Sequence, residues 1–337
     1  MIYIVIIYLW TAILLYLLLG GADFGAGIIE LFTSDTNKDK TSITMSRTLG
    51  PIWEANHMWL IIVIVILFVG FPDIYSVVST YLHIPLLLFL LGIIARGTAF
   101  AFRHYDAVDD RMQNVYNKIF RFSCFAVPFF LGIIGASAVA GTIHPGATNF
   151  LDAYIYSWLH LFSVTVGLFT VCLCGYLAAI FLIGEHEGEQ ERKRYIVKAR
   201  SMNIATVIAG ALVFMAASFD KIPLAKWLFG SVLGSTAILA ALLSLLWQWQ
   251  LIRKGKKYII RFLAGFQLTM ILVATTYYHY PNIILLSEGG YLSLMEHQGH
   301  EQTIRTLAVA LLAGSIFILP ALFYLIYSFQ RKQPEEL

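Results

Sequence analysis

Nine apolar segments, with Lys and Arg sorted to alternate sides of them, constrain this chain more than any other feature of its sequence. The segments run roughly 2–31, 53–71, 81–102, 119–141, 154–183, 203–219, 228–252, 260–279 and 304–329. Each is long enough to cross a hydrocarbon core that needs about 20 apolar helical residues. Of the 23 Lys and Arg residues, 19 fall in the connections after odd-numbered segments and in the tail. Only Lys221 and Lys226 fall in the other connections, and Arg96 and Arg305 lie inside segments. Cations concentrate on the cytoplasmic side of membrane proteins, which places the N-terminus outside and the C-terminus in the cytoplasm. The pattern predicts an all-α polytopic membrane protein with nine transmembrane helices in a single integral-membrane domain over 1–337. A weak echo between Tyr3–Trp10 and Tyr154–Leu161 suggests two four-helix bundles plus one extra helix. Helices one to four would cover about 2–141, helices five to eight about 154–279, and helix nine about 304–329.

Composition agrees. The chain is 59% hydrophobic and 13% charged, against about 25% charged in soluble domains. A net charge of +3 is too small to point to nucleic acid, and anionic lipid accounts for cations gathered on one face. Cys124, Cys172 and Cys174 all fall within spans, without CxxC spacing, and read as small buried hydrophobes. The first span lacks a basic leading region and is too long for a cleavable signal sequence. The loop over 280–303, with Gly289-Gly290 and the apolar Tyr291–Met295 stretch, is expected to lie along the membrane surface or to cover a partner.

Ionisable residues crowd the first three spans, which contain Asp23, Glu30, Glu54, His57 and Arg96. Gly20-Gly21-Ala22-Asp23-Phe24-Gly25-Ala26-Gly27 lies in the cytoplasmic half of span one. Gly21 and Gly25 form a GxxxG step, while Gly20, Asp23 and Gly27 share a helix face, so another helix can approach closely around a carboxylate. An acid inside a membrane is costly, by about 2.5–3.5 kcal/mol on insertion scales, so a working role is the default reading. The alternative is an Asp that only bonds neighbouring backbone. Gly50-Pro51-Ile52-Trp53-Glu54-Ala55-Asn56-His57 opens span two, with Glu54 and His57 on one face. Glu54 near a helix N-terminus is also electrostatically favoured in its own right. Arg96, seven residues before Arg103 on span three, is about 10 Å inside the cytoplasmic edge at 1.5 Å per residue. Asp23, Glu54 and Arg96 therefore stack in the cytoplasmic third of three consecutive helices. Arg96 can neutralise one carboxylate and leave the other to exchange protons, which makes Asp23, Glu54, Arg96 and His57 the proton-path candidates. A structural ion pair that locks helices or binds a partner is the competing reading. No catalytic residue in the strict sense and no metal site is expected. His57 has no histidine of equal depth, His160 and His279 are the only pair that could hold haem, and the His297/His300 spacing is a weak metal signal.

The Gly-Gly-Ala-Asp-Phe-Gly motif, the Gly50–Ile61 run and Ala95-Arg96-Gly97-Thr98-Ala99-Phe100-Ala101-Phe102-Arg103 together resemble subunit II of the cytochrome bd-type quinol oxidases. The likeness covers the whole chain. It implies a terminal oxidase of the bacterial cell membrane that oxidises quinol and reduces dioxygen to water. Protons would be taken from the cytoplasm, giving an electrogenic enzyme that does not pump. It also implies a haem-bearing subunit I as partner, holding two b-type haems and one d-type haem, with a small single-span subunit as a possible third member. Quinone and membrane lipid are the other expected partners. In that family a proton path follows the subunit interface, and Asp23, Glu54 and Arg96 match its acidic positions and its buried arginine. Where members of the family often read Trp-Asp-Gly-Asn-Glu, this chain has Trp53-Glu54-Ala55-Asn56-His57. A carboxylate is kept at 54, but His57 replaces the later acid. The chain is short for the family, which implies trimmed loops rather than a lost span. Two other readings stand beside the oxidase subunit: a proton-coupled secondary transporter using Asp23 and Glu54, and a scaffold whose charges only hold subunits together.

Overall fold

The computed structural model describes residues 1–33, 53–105, 110–183, 189–254 and 257–331. The first apolar segment is one long rod: α1 (Ile2–Leu15), a π-helical turn (Tyr16–Gly20) and α2 (Gly21–Leu31). Next come α3 (Trp53–Gly70), α4 (Pro72–Tyr81), α5 (His83–Tyr105) and α6 (Asp110–Ala140). The second half holds α7 (Phe150–Tyr154), α8 (Leu161–Ile183), α9 (Glu189–Phe219), α10 (Leu224–Phe229), α11 (Val232–Lys254) and α12 (Lys257–Tyr277). A short hairpin, β1 (Asn282–Leu285) and β2 (Tyr291–Ser293), precedes α13 (Glu301–Arg331). Eight helices among the described residues are long and apolar enough to cross a membrane, and the bent pair Ala55–Gly70 and Pro72–Tyr81 brings the number to nine.

That bend has a local cause. Pro72 lacks an N–H and cannot continue the ladder of α3, but it suits the first position of a new helix. Phe71, fully buried, leaves helical geometry at φ −139° and ψ 63°. The chain turns by 115°, and α4 lies across the end of the bundle opposite the cationic loops. Its Ile74 and the following Leu82 are buried against the bundle.

The region after α12 differs from the surface-lying loop expected from its sequence. β1 and β2 pair antiparallel, with Leu285 opposite Tyr291. Ile284, Leu292 and Leu294 sink into the same core as Val5, Ile66, Phe71 and Ile143. Two backbone bonds fasten the region down, Ser287 N–H to Ile143 O at 2.9 Å and Gly299 N–H to Gly70 O at 2.8 Å. The Gly289-Gly290 pair lets the chain reverse, Gly289 having φ +82°.

Segment five also starts later than its apolar run suggests. After α7 ends at Tyr154, residues 155–158 form turns and α8 begins only at Leu161. Asp220, at the end of α9, accepts the Phe162 N–H at 2.7 Å and so caps the first turn from outside the helix. The Tyr154–Leu161 stretch is therefore the link between α7 and α8, while Tyr3–Trp10 lies inside α1.

Helix α8 is the packing hub, in contact with α2, α6, α9 and α12. A Cβ on Gly25 would stand 1.9 Å from the Cys174 carbonyl oxygen, and one on Gly132 would stand 2.8 Å from the Gly167 Cα. Backbones meet at both crossings, the small-residue packing that helices in lipid rely on. The two halves are thereby joined along spans one, four and five. The ninth span docks on the first half, where Ile304, Leu307 and Ala308 join the core of α1 and α3. The Tyr8 and Ser315 hydroxyls meet at 2.6 Å.

Candidate functional site

The charged residues of spans one and three form a ladder. Arg96 Nη2 donates to Asp23 Oδ1 at 2.5 Å, with side chains 1% and 2% exposed. Seven residues further along both helices, Arg103 Nη2 donates to Glu30 at 3.0 and 3.1 Å. Each rung joins residues 73 apart in sequence, as expected where two helices run in the same direction in register. The rungs are about 10 Å apart along the axis. On the lower rung Arg121 Nε, from α6, adds a third bond to Glu30 at 2.8 Å.

The rungs differ in character. The upper one is a neutral pair of one acid and one guanidinium. The lower one holds one acid and two guanidiniums, and the three donated bonds occupy the Glu30 oxygens. Phe120 is the wedge between them, its ring 5.5 Å from the Arg96 Cζ and 5.0 Å from the Arg103 Cζ. Phe24 and Phe100 also face Arg96, at 5.6 and 5.7 Å. Stacking on aromatic faces suits a planar, weakly hydrated guanidinium and offsets part of the cost of burying it. Asp23 keeps a second oxygen, Oδ2, buried and without a hydrogen bond among the described residues.

The glycines divide between neighbours. Gly21 and Gly25 face α8, where a Cβ on Gly21 would lie 3.3 Å from the Cys174 Sγ. Gly27 faces α6, where a Cβ would lie 2.4 Å from the Cys124 Sγ. Gly20 instead lies under the ring of Tyr16. Close approach on two sides is what leaves Asp23 almost no exposure. His57 joins this site through its ring, 5.9 Å from Phe24 and 6.2 Å from Tyr16. Asn56, buried beside it, donates to the Leu19 carbonyl in the π turn at 3.5 Å. Glu54 belongs to the first turn of α3, but its side chain lies outside the described residues.

Glu30, Arg103 and Arg121 form the lower rung, although in the sequence they stand at segment edges, where ordinary loop charges also occur. The signal was present: Asp23/Glu30 and Arg96/Arg103 share the same seven-residue spacing. Tyr16 carries no such signal, since a phenol in an apolar run belongs to no motif, and Asn56 stands out only as part of the Trp53–His57 run.

His160 and His279 do not form a haem-ligating pair. His160 Nδ1 lies 3.5 Å from Asp220 Oδ2 and its ring stacks on Phe162. His279 packs edge-on against Trp227 at 4.4 Å, and the Phe162 and Trp227 rings stand between the two imidazoles. His297 Nδ1 and His300 Nδ1 accept backbone N–H groups of their own turns. Among the described residues no group of three or more His, Cys, Asp or Glu could hold a metal ion.

The fold and the ladder define a multi-pass helical membrane protein with buried, paired charges between its first, third and fourth spans. The profile of the family described as cytochrome bd terminal oxidase subunit II matches residues 1–329. The chain belongs to that family. It is 26% identical over 216 residues to cytochrome bd ubiquinol oxidase subunit 2 of Bacillus subtilis (strain 168), a match covering 62% of each chain. It is 23% identical over 144 residues to cytochrome bd-I ubiquinol oxidase subunit 2 of Escherichia coli (strain K12), covering 41% of this chain and 37% of that one. The matched stretch thus spans less than two thirds of the length of these curated relatives. The solved bd oxidase from Geobacillus thermodenitrificans contains a chain of the same fold, with a TM-score of 0.78 and 19% identity. That likeness covers 98% of this chain and 100% of the other. No comparison supports the transporter reading.

Proposed function

We propose that this chain is the second subunit of a quinol-oxidising, dioxygen-reducing terminal oxidase and supplies part of its proton path. The observation that carries the reading is the Asp23–Arg96 pair, 2% and 1% exposed within a membrane span of a chain belonging to this family. A carboxylate kept at that depth is expensive. Glu30, three times hydrogen-bonded on the lower rung, already braces spans one, three and four. A second acid–arginine pair is not needed for that purpose.

In this reading the cationic end faces the cytoplasm and the N-terminus lies outside. Glu54 takes up protons at the start of span two and passes them to Asp23. Arg96 holds the Asp23 carboxylate in place through one oxygen and leaves the other free to accept a proton. A haem-bearing subunit I completes the enzyme, with two b-type haems, one d-type haem and quinol as electron donor. A small single-span subunit and bound lipid are further members of the assembly. The two halves of the chain are four-helix units with the ninth span added to the first.

The test is quinol-dependent oxygen consumption by the purified complex carrying Glu54→Gln together with Asp23→Asn. A loss of about a hundredfold with the complex intact is expected, in line with removing a positioned proton-transfer group. Unchanged turnover would rule the path out, and a complex that fails to assemble would favour the scaffold reading.

A further inference from the structure

Three rings meet beside the upper rung. Tyr16 lies edge-on to Phe24 at 6.3 Å and 6.2 Å from the His57 imidazole, and Phe24 and His57 are 5.9 Å apart. The Arg96 guanidinium covers the Phe24 ring at 5.6 Å. Tyr16 is 3% exposed. Its hydroxyl and Asp23 Oδ2 are both buried without a hydrogen-bond partner among the described residues. Buried polar groups in folded proteins are almost always satisfied, and ordered water does so where side chains do not.

Two features hold the phenol and the imidazole at one level. Gly20 has no Cβ where the Tyr16 ring rests; one placed there would lie 3.2 Å from Tyr16 Cε2. The π turn Tyr16–Gly20 presents the Leu19 carbonyl to the Asn56 amide, which ties the neighbouring His57 to the depth of Tyr16. The titratable groups that reach the phenol are Asp23 on its own span, Arg96 from α5 and Cys174 from α8. His57 comes from α3.

We propose that the Tyr16 hydroxyl is a further member of the proton path, passing protons between the Asp23 carboxylate and the His57 imidazole through bridging water. In each passage the phenol gives its own proton to one neighbour and takes one from the other, so it ends unchanged. His57 is partly exposed, and the relay therefore leads from the buried pair toward the flank of span two. This inference rests on the reading of Asp23 as a proton carrier.

The experiment uses the whole oxidase complex and follows both oxygen consumption and electrogenic proton uptake. Tyr16→Phe keeps the ring over Gly20 and removes only the hydroxyl. Proton uptake should slow about tenfold, less than the 10²–10⁴ of a direct proton donor because water still bridges part of the gap. Quinol binding should be unchanged. A second variant carries 3,5-difluorotyrosine at position 16, which keeps the shape and makes the phenol more acidic. It should shift the pH profile of the proton-uptake phase, which a packing role would not do. Asp23→Asn separates the possible failures. If it slows uptake while Tyr16→Phe and the fluorinated phenol leave rate and pH profile unchanged, the Tyr16 relay is wrong and the Asp23 path stands. If Asp23→Asn also leaves uptake unchanged, both fall.

Discussion

Removing Arg96 alone should damage the protein far more than removing Arg96 and Asp23 together. Asp23 is 2% exposed, and Arg96 Nη2 at 2.5 Å is its one hydrogen-bond donor among the described residues. Arg96→Met leaves that carboxylate buried without its cation, a change that costs about 3–5 kcal/mol. Asp23→Leu should cost less, because the guanidinium keeps the Phe24, Phe100 and Phe120 faces that stack on it. The paired replacement, Asp23→Leu with Arg96→Met, substitutes apolar volume for two charges. Methionine also packs well on the Phe24, Phe100 and Phe120 rings that face Arg96. That double variant should recover most of the loss caused by Arg96→Met, giving a coupling energy of about 2 kcal/mol or more. The assay is thermal unfolding of the detergent-solubilised complex, in which Arg96→Met should melt about 5–10 °C lower and Asp23→Leu less far. The double variant should melt close to the parent and yet turn over poorly. An Arg96→Met cost under about 1 kcal/mol, or single-variant costs that simply add in the double, would refute the claim of a desolvated, coupled pair.

Gly25→Ala should separate span one from span five and sharply reduce the yield of folded protein, because the new Cβ would fall 1.9 Å from the Cys174 carbonyl. Gly135→Ala, with nothing within 4 Å of its Cβ, should change nothing, and equal yields of the two would be fatal to the packing claim. Acid should weaken the end opposite the cationic loops. Burial against Trp227 pushes the His279 imidazole down to about 4, against about 6.5 in the unfolded chain. The unfolded state then binds more protons between those values. The His279 contribution is thus complete above about pH 6.5 and is lost as pH falls toward 4. His279→Phe should flatten that part of a melting-temperature profile, and an unaltered slope would contradict it.

Much of the fold was legible because lipid leaves a chain few options. A span must satisfy its own backbone, so apolar length and loop charge locate the helices within a few residues. What stayed hidden depended on tertiary contacts. The break at Phe71 needed Pro72 to be recognised as the start of a helix lying across the bundle end. The hairpin after α12 carried its own signal, two apolar runs around Ser287-Glu288-Gly289-Gly290, but its burial depends on Ile143 and Phe71, far away in sequence. Asp23 and Arg96 stood out as charges among apolar residues. Glu30, Arg103 and Arg121 sat at segment edges, where ordinary loop charges also occur. Tyr16 is one tyrosine among many in apolar runs, and only its depth and its orphaned hydroxyl set it apart.

The most direct test of the central claim is a reduced-minus-oxidised absorption spectrum of the affinity-tagged chain purified from its own membranes. Co-purification of a larger subunit with b-type and d-type haem bands is the expected result. A well-folded, colourless chain that purifies alone would contradict it.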